Sequence, residues 1–209
     1  VGKAASLFEI PPFTLNFYRW TFAWLILAPF TLKEILKKKY YILKNIKLIL
    51  ILGITSITIF NSIVYYSLYY TQVISGVLMI STIPVWIIFI SSILNIEKTN
   101  IFQIIGVLLS LTGVLFIITK ADIEIIRNLN FNKGDLTMAI AMFSWAIYSA
   151  LLKKKKYEIS QITLLEVVII SGLIFLIPIY FIEISMGHLI KLEKPFYLTL
   201  AYVVLFPGL

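Results

Sequence analysis

No cysteine occurs in the 209 residues, and histidine occurs once, at His188. The first absence excludes a disulfide framework and any thiolate metal site. The lone histidine, in a short polar stretch, reads as a loop residue rather than a ligand. Charge is scarce too. Asp, Glu, Lys and Arg make up 13% of the chain, about half the fraction of an ordinary soluble domain. No Gly-x-x-x-x-Gly-Lys-Ser/Thr sequence is present, so no P-loop drives chemistry here. The net charge of +8 raises the question of nucleic acid. Its distribution answers no: Lys and Arg sit between apolar stretches instead of along one stripe.

The apolar stretches are the dominant feature. Hydrophobic residues make up 60% of the chain, and mean hydropathy is +0.98. Ile46 to Phe60, Val73 to Leu94, Ile101 to Ile118 and Ile162 to Ile182 carry no charge except Lys47 and Glu166. A hydrocarbon layer about 30 Å thick needs roughly 20 apolar residues of helix. These segments meet that requirement in succession, which predicts an all-α integral membrane protein in contact with the lipid bilayer. Spanning helices are expected at about 13–32, 46–70, 73–95, 101–119, 136–152 and 162–183, with another from about 196. Lys33 to Lys47 reads as a basic link, and Lys120 to Asp135 as the most polar one. The chain starts with Val and ends inside an apolar run. It is therefore expected to be an internal piece of a longer protein, with Val1 to Phe8 closing an upstream helix.

Alternation of helices divides the links into two sets. Lys33, Lys37, Lys38, Lys39, Lys44, Lys47, Lys98 and Lys153 to Lys156 fall on one side, and Lys3, Arg19, Lys120, Arg127, Lys133, Lys191 and Lys194 on the other. The bias of eleven against seven places the first set in the cytoplasm. The lysine runs then serve as topology anchors near anionic headgroups. An internal repeat is also visible. Thr14 and Thr163 are 149 positions apart, as are Pro29 and Pro178, each pair in a helix with a similar entry and exit. Five spanning helices separate equivalent points, and an odd number inverts the second copy. Inverted repeats are a transporter architecture, with a site near the midplane.

The run Pro11-Pro-Phe-Thr-Leu-Asn-Phe-Tyr-Arg19 followed by Pro29 resembles the opening of EamA-type domains of the drug/metabolite transporter superfamily. So do Leu78 to Trp86 with Thr82 and Pro84, then Glu97, then Gly106 to Gly113. Asn132-Lys-Gly-Asp135 leading to Ser144-Trp145-Ala-Ile-Tyr148 resembles the start of that family's second domain. The resemblance implies a helical bundle of two inverted five-helix repeats, ten helices in a full protein. About seven plus partial ends would lie here. Residues 1–119 would be the first half, lacking most of its first helix. Residues 120–135 would be the inter-repeat link, and 136–209 a second half cut in its third helix. It also implies movement of amino acids, metabolites or toxic compounds across the plasma membrane, often outward.

Polar groups inside a span are costly and face a bundle interior or a wet cavity. Arg19, about one and a half turns into its helix, is the first candidate for a substrate pathway. It either meets an anionic group or snorkels to headgroups. Asn16 shares its face. Asn61 is the deepest amide, and Tyr65 and Tyr69 continue its stripe. Asn61 either binds substrate or bonds a neighbouring helix. Tyr66, Tyr69 and Tyr70 lie near enough to the boundary to form an aromatic belt. Ser81 and Thr82 stand beside Pro84, whose missing N–H frees a carbonyl and kinks the helix. Trp145 and Tyr148 share one face with Ser144 of the second-half opening helix. Trp24 and Trp86 line a cavity or face lipid, two readings the residues leave open. Glu166 is expected to be an interfacial carboxylate, with proton coupling as the alternative. Gly106, Ser110 and Gly113 predict a face for close helix packing.

The leading expectation is a secondary transporter, not an enzyme, exporting a small-molecule substrate by alternating access from a bacterial inner membrane. No cofactor or metal is expected. The alternatives are a non-transporting scaffold and a membrane-embedded lipid-modifying enzyme. The enzyme would need clustered His, Asp or Glu, and the acids of the Lys120 to Asp135 link have no histidine beside them. Oligomeric state is not legible.

Overall fold

The computed structural model describes residues 10–97, 100–119, 122, 124, 132–188, 190 and 193–205. Val1 to Phe8, Lys98 and most of the Lys120 to Asp135 link lie outside them. The described residues form helices and no strand. In chain order these are α1 (Pro12–Lys37), α2 (Lys39–Lys44), α3 (Ile46–Gly53), a π-helical segment (Ile54–Phe60) and α4 (Asn61–Tyr70). There follow α5 (Val73–Ser81), α6 (Ile83–Ile93), α7 (Ile101–Thr119), α8 (Lys133–Lys153), α9 (Gln161–Ser185) and α10 (Lys194–Leu205).

Four continuous helices are long and apolar enough to cross a bilayer: Ile46–Tyr70, Val73–Ile93, Lys133–Lys153 and Gln161–Ser185. The apolar parts Ile101–Ile117 and Lys194–Leu205 are shorter. This is an all-α, multi-pass membrane protein. One expectation is corrected. The basic stretch from Lys33 to Lys47 is helical, with α1 running to Lys37 and α2 beginning at Lys39. Lysine and leucine are good helix formers, so charge alone did not end the helix.

The most extensive packing joins α1 to α9. The two run antiparallel, and each lends a glutamate to the other's first turn. The backbone N–H groups of Phe13 and Thr14 donate to Glu183 Oε1 and Oε2 at 3.2 and 2.6 Å. At the opposite end, Glu34 Oε1 accepts from the Ser160 N–H at 2.9 Å. Its Oε2 accepts from the Ser160 and Thr163 hydroxyls, both at 2.6 Å. Pro11 precedes α1 and offers no side-chain cap. The first-turn N–H groups of a helix need acceptors, and a carboxylate there also meets the positive end of the helix dipole.

Glycine permits the second close crossing. A Cβ on Gly53 would lie 2.0 Å from Ser171 Oγ and 2.6 Å from the Gly172 nitrogen, and one on Gly172 would lie 2.4 Å from Ile57 Cβ. At this approach side-chain hydroxyls reach backbone carbonyls across the crossing: the Thr58 hydroxyl donates to the Gly172 carbonyl at 2.8 Å, and the Ser171 hydroxyl to the Ile49 carbonyl at 3.0 Å. The helix carrying Gly106 and Gly113 behaves otherwise. A Cβ at either would meet nothing within 4 Å. The expected packing face of α7 makes no close contact: α5 and α6 neighbour the helix, and α6 faces Gly106 and Ser110 across an open pocket.

Two outcomes follow. Gly172→Val overfills a backbone contact, a change that costs about 1–3 kcal/mol, whereas Gly106→Ala leaves stability within about 0.5 kcal/mol. Denaturant unfolding in detergent, read by helicity, distinguishes them. Glu34, beyond the apolar part of α1, gives a pH signature. The Ser160 hydroxyl, then the Thr163 hydroxyl and the Ser160 N–H, hold its carboxyl down at about 2 against a usual 4.5. A lowered folded value stabilises fully above 4.5 and is lost as pH falls toward 2. The wild type is expected to lose stability across that window more steeply than Glu34→Gln, and equal slopes would remove the clamp.

Candidate functional site

The site begins with a break in a ladder. Ile54–Phe60 is wound as a π-helix in the middle of the 25-residue apolar helix Ile46–Tyr70. Such segments frequently mark functional positions. Three consecutive carbonyls in it accept side-chain donors. Ser144 Oγ of α8 donates to Thr55 O at 2.7 Å, Asn61 Nδ2 to Ser56 O at 2.7 Å, and Asn16 Nδ2 of α1 to Ile57 O at 3.0 Å. Asn16 Nδ2 also donates to Ser62 Oγ at 2.8 Å. Asn16 thus fastens α1, and Ser144 fastens α8, to the irregular segment, while Asn61 bonds it from within the same helix.

With its amide nitrogen committed to Ser56, Asn61 presents its oxygen to α1. Arg19 Nη1 donates to Asn61 Oδ1 at 2.7 Å and to Tyr65 OH at 2.8 Å. The guanidinium carbon lies 4.7 Å from the Trp20 ring centroid and 6.0 Å from that of Tyr65, within cation–π range. Arg19 is only 6% exposed, so it does not snorkel. Its charge is held inside the bundle by an amide, a phenol and two ring faces.

A cavity of about 140 Å³ adjoins this cluster. Arg19, Trp20, Ser56 and Asn61 line one part, and Phe60, Trp145 and Tyr148 another. The Phe60 and Trp145 rings approach to 4.5 Å, and those of Trp145 and Tyr148 to 5.0 Å. Leu165 and Val168 of α9 complete it. This space holds a group the size of a benzene ring and is smaller than the roughly 300–1,000 Å³ of a whole-ligand pocket.

Six of the nine candidate residues therefore gather here: Arg19, Asn61, Trp145 and Tyr148 line the cavity, Tyr65 bonds Arg19, and Asn16 bonds Ile57 and Ser62 beside it. Ser81, Thr82 and Pro84 lie elsewhere, at the α5–α6 break. There the Ser81 and Thr82 hydroxyls donate to the carbonyls of Leu78 and Met79, both at 2.7 Å. Pro84 borders a separate pocket of about 370 Å³ with Ser91, Gly106 and Ser110. Trp86 packs on Phe143 at 5.4 Å, and Trp24 packs against the α1–α9 core. Glu166, expected as an interfacial carboxylate, is 1% exposed and packed within the bundle near the start of α9. Trp20, Ser56 and Phe60 were not singled out from the sequence. The signal available was the cluster Thr55, Ser56 and Thr58, unusual in an otherwise apolar span.

Residues 1–119 match the family model described as EamA-like transporter family. Over 114 residues, 54% of this chain, it is 31% identical to 37% of the uncharacterized transporter YyaM of Bacillus subtilis (strain 168). Over 176 residues, 83% of this chain, it is 27% identical to 58% of an uncharacterized transporter of Archaeoglobus fulgidus. The chain thus spans from about a third to under two thirds of the length of these curated relatives. No solved structure gives a significant match.

The hydrogen-bond chain predicts an order of effects. Asn61→Ala strands both the Arg19 donor and the Ser56 carbonyl, whereas Tyr65→Phe removes a single acceptor. Interhelical bonds in bilayers contribute about 0.6–1.7 kcal/mol each. Asn61→Ala is expected to destabilise by roughly twice as much as Tyr65→Phe, with coupling above about 0.5 kcal/mol between them. A double-mutant cycle of unfolding in bicelles measures both, and strict additivity would mean that Arg19 does not join them.

Proposed function

The chain belongs to the EamA-like transporter family, and from that premise we propose a secondary transporter that exports small metabolites or amino acids across the plasma membrane by alternating access. The observation that carries the reading is the buried Arg19–Asn61–Tyr65 cluster beside an aromatic cavity at the meeting of α1, α4, α8 and α9. Intramembrane charged groups held in this way mark substrate or ion pathways. The transporter names of both relatives support the same class. Nothing in this arrangement calls for an enzyme's acid–base pair.

The substrate pathway assigned here comprises Asn16, Arg19, Asn61, Tyr65, Trp145 and Tyr148 around the cavity. The α5–α6 break at Ser81, Thr82 and Pro84 would flex when the pathway opens. In the present arrangement the cavity admits one ring or one small head group, an occluded form that widens as the halves rock. The antiparallel α1–α9 pair supports an inverted repeat. Thr14 and Thr163, Pro29 and Pro178, and the capping pair Glu34 and Glu183 share one 149-residue offset. A shared helix pair is what two inverted halves would pivot on. A proton gradient is the driving force to test, with Glu166 the buried carboxylate available to it.

The test is flux in proteoliposomes of amino acids and small aromatic metabolites, with and without a proton gradient. Saturable flux supports the reading, and none from folded protein would leave a membrane scaffold. Asn61→Ala is expected to lower flux by about tenfold or more, as a loss of about 1.4 kcal/mol would, while most of the protein stays folded in the membrane. Abundance falling in step with flux would make Asn61 a structural bond and remove it from the pathway.

A further inference from the structure

A third and larger pocket, of about 700 Å³, opens where the first turn of α1, the last turns of α4 and the end of α9 meet. It shares no lining residue with the central cavity. Its volume lies within the roughly 300–1,000 Å³ of small-molecule sites. Phe13, Tyr66, Tyr69 and Tyr70 supply aromatic walls. The Phe13 and Tyr66 rings stack at 6.3 Å, and Tyr66 and Tyr70 meet at 5.1 Å with 53° between their planes. The Tyr69 hydroxyl donates to the Ile10 carbonyl, which pins that ring at the entrance to α1.

The charge in this pocket has one dominant sign. Glu183 and His188 line it, and among the described residues no Lys or Arg does. Each Glu183 oxygen accepts one N–H from the start of α1 and keeps further acceptor capacity. A helix N-terminus carries about +0.5 of a charge, which leaves roughly half of the carboxylate's charge uncompensated. Aromatic ring faces are negative as well. An anion would be repelled here, and a neutral apolar molecule would leave Glu183 unused. A cation with an apolar body uses everything present.

We propose that this pocket binds an organic ammonium, its cationic nitrogen held between Glu183 and the tyrosine faces and its apolar part lying against Ile179 and Ile182. Quaternary or alkyl ammonium groups are what ring clusters of this kind recognise. The same nitrogen chemistry comes from two sources, a soluble amine or the choline or ethanolamine headgroup of a lipid. Tyr70 and Ile182 are both exposed at this end of the bundle, within reach of headgroups. The assignment does not depend on transport, because binding is read without flux.

The experiment is equilibrium binding of radiolabelled benzyltrimethylammonium to the protein in phosphatidylglycerol vesicles, which contain no ammonium headgroup. Saturable binding is expected, with no competition from neopentylbenzene, the neutral carbon isostere. Tyr70→Leu, which alters an exposed ring, is expected to weaken binding about threefold to thirtyfold, as loss of a cation–π contact of about 0.5–2 kcal/mol would. Glu183→Gln is expected to weaken it too. Adding phosphatidylethanolamine or phosphatidylcholine separates the sources: competition assigns the site to a headgroup, and unchanged binding to a soluble amine. Absence of saturable binding, equal competition by the neutral isostere, or wild-type binding in both folded variants would overturn the proposal.

Discussion

Within an apolar layer a backbone carbonyl finds its donor inside the protein or not at all. The π-helical segment makes that constraint local and severe. Thr55, Ser56 and Ile57 present successive carbonyls, and Ser144, Asn61 and Asn16 reach them from three different places. These side chains cannot be exchanged for apolar ones without loosening the joint between α1, the π-segment and α8. Their commitment also fixes what faces Arg19. The Asn61 amide nitrogen is taken by Ser56, so its oxygen is left for the guanidinium. The central cluster is thus a consequence of how the irregular helix is repaired.

The α1–α9 pair supplies the frame for that joint. Carboxylates close it at both ends, Glu183 on the first turn of α1 and Glu34 on the first turn of α9. Apolar packing in a bilayer gives little preference for one sliding position over another, because lipid tails are as apolar as leucine. Hydrogen bonds at two distant points do give it. With both ends tied, neither helix slides without breaking a charged contact. The Gly53–Gly172 crossing then sets the distance of the π-segment from α9.

The helices were legible because the bilayer imposes length and apolarity on each span, and sequence displays both. The stripe of Asn61, Tyr65 and Tyr69 was legible from helical spacing alone. What joins stripes on different helices was not. Nothing local announces that Arg19 meets Asn61, 42 positions away, or that Glu34 and Glu183 share the offset of the two prolines. For Glu166 the sequence showed its position along the helix but not that neighbouring helices enclose it. Lateral neighbours decide burial, and the sequence is silent about them. At Gly106 and Gly113 small residues permit close approach but do not enforce it: no atom lies within 4 Å of a Cβ at either. The π-segment left only a faint trace, three hydroxyl residues in an apolar run.

Arg19 shows why the cluster reads as more than scaffolding. A buried arginine in a membrane protein is costly, and the cost rises with its depth in the apolar layer. Its two hydrogen bonds and its ring contacts offset that cost. Buried charged groups replaced together by well-packed apolar residues are often neutral or stabilising. A fold alone would be served as well by leucine or methionine at position 19, with Asn61 and Tyr65 changed to match. What only the charged arrangement provides is a fixed positive group, aimed by two acceptors, beside a space large enough for a ring.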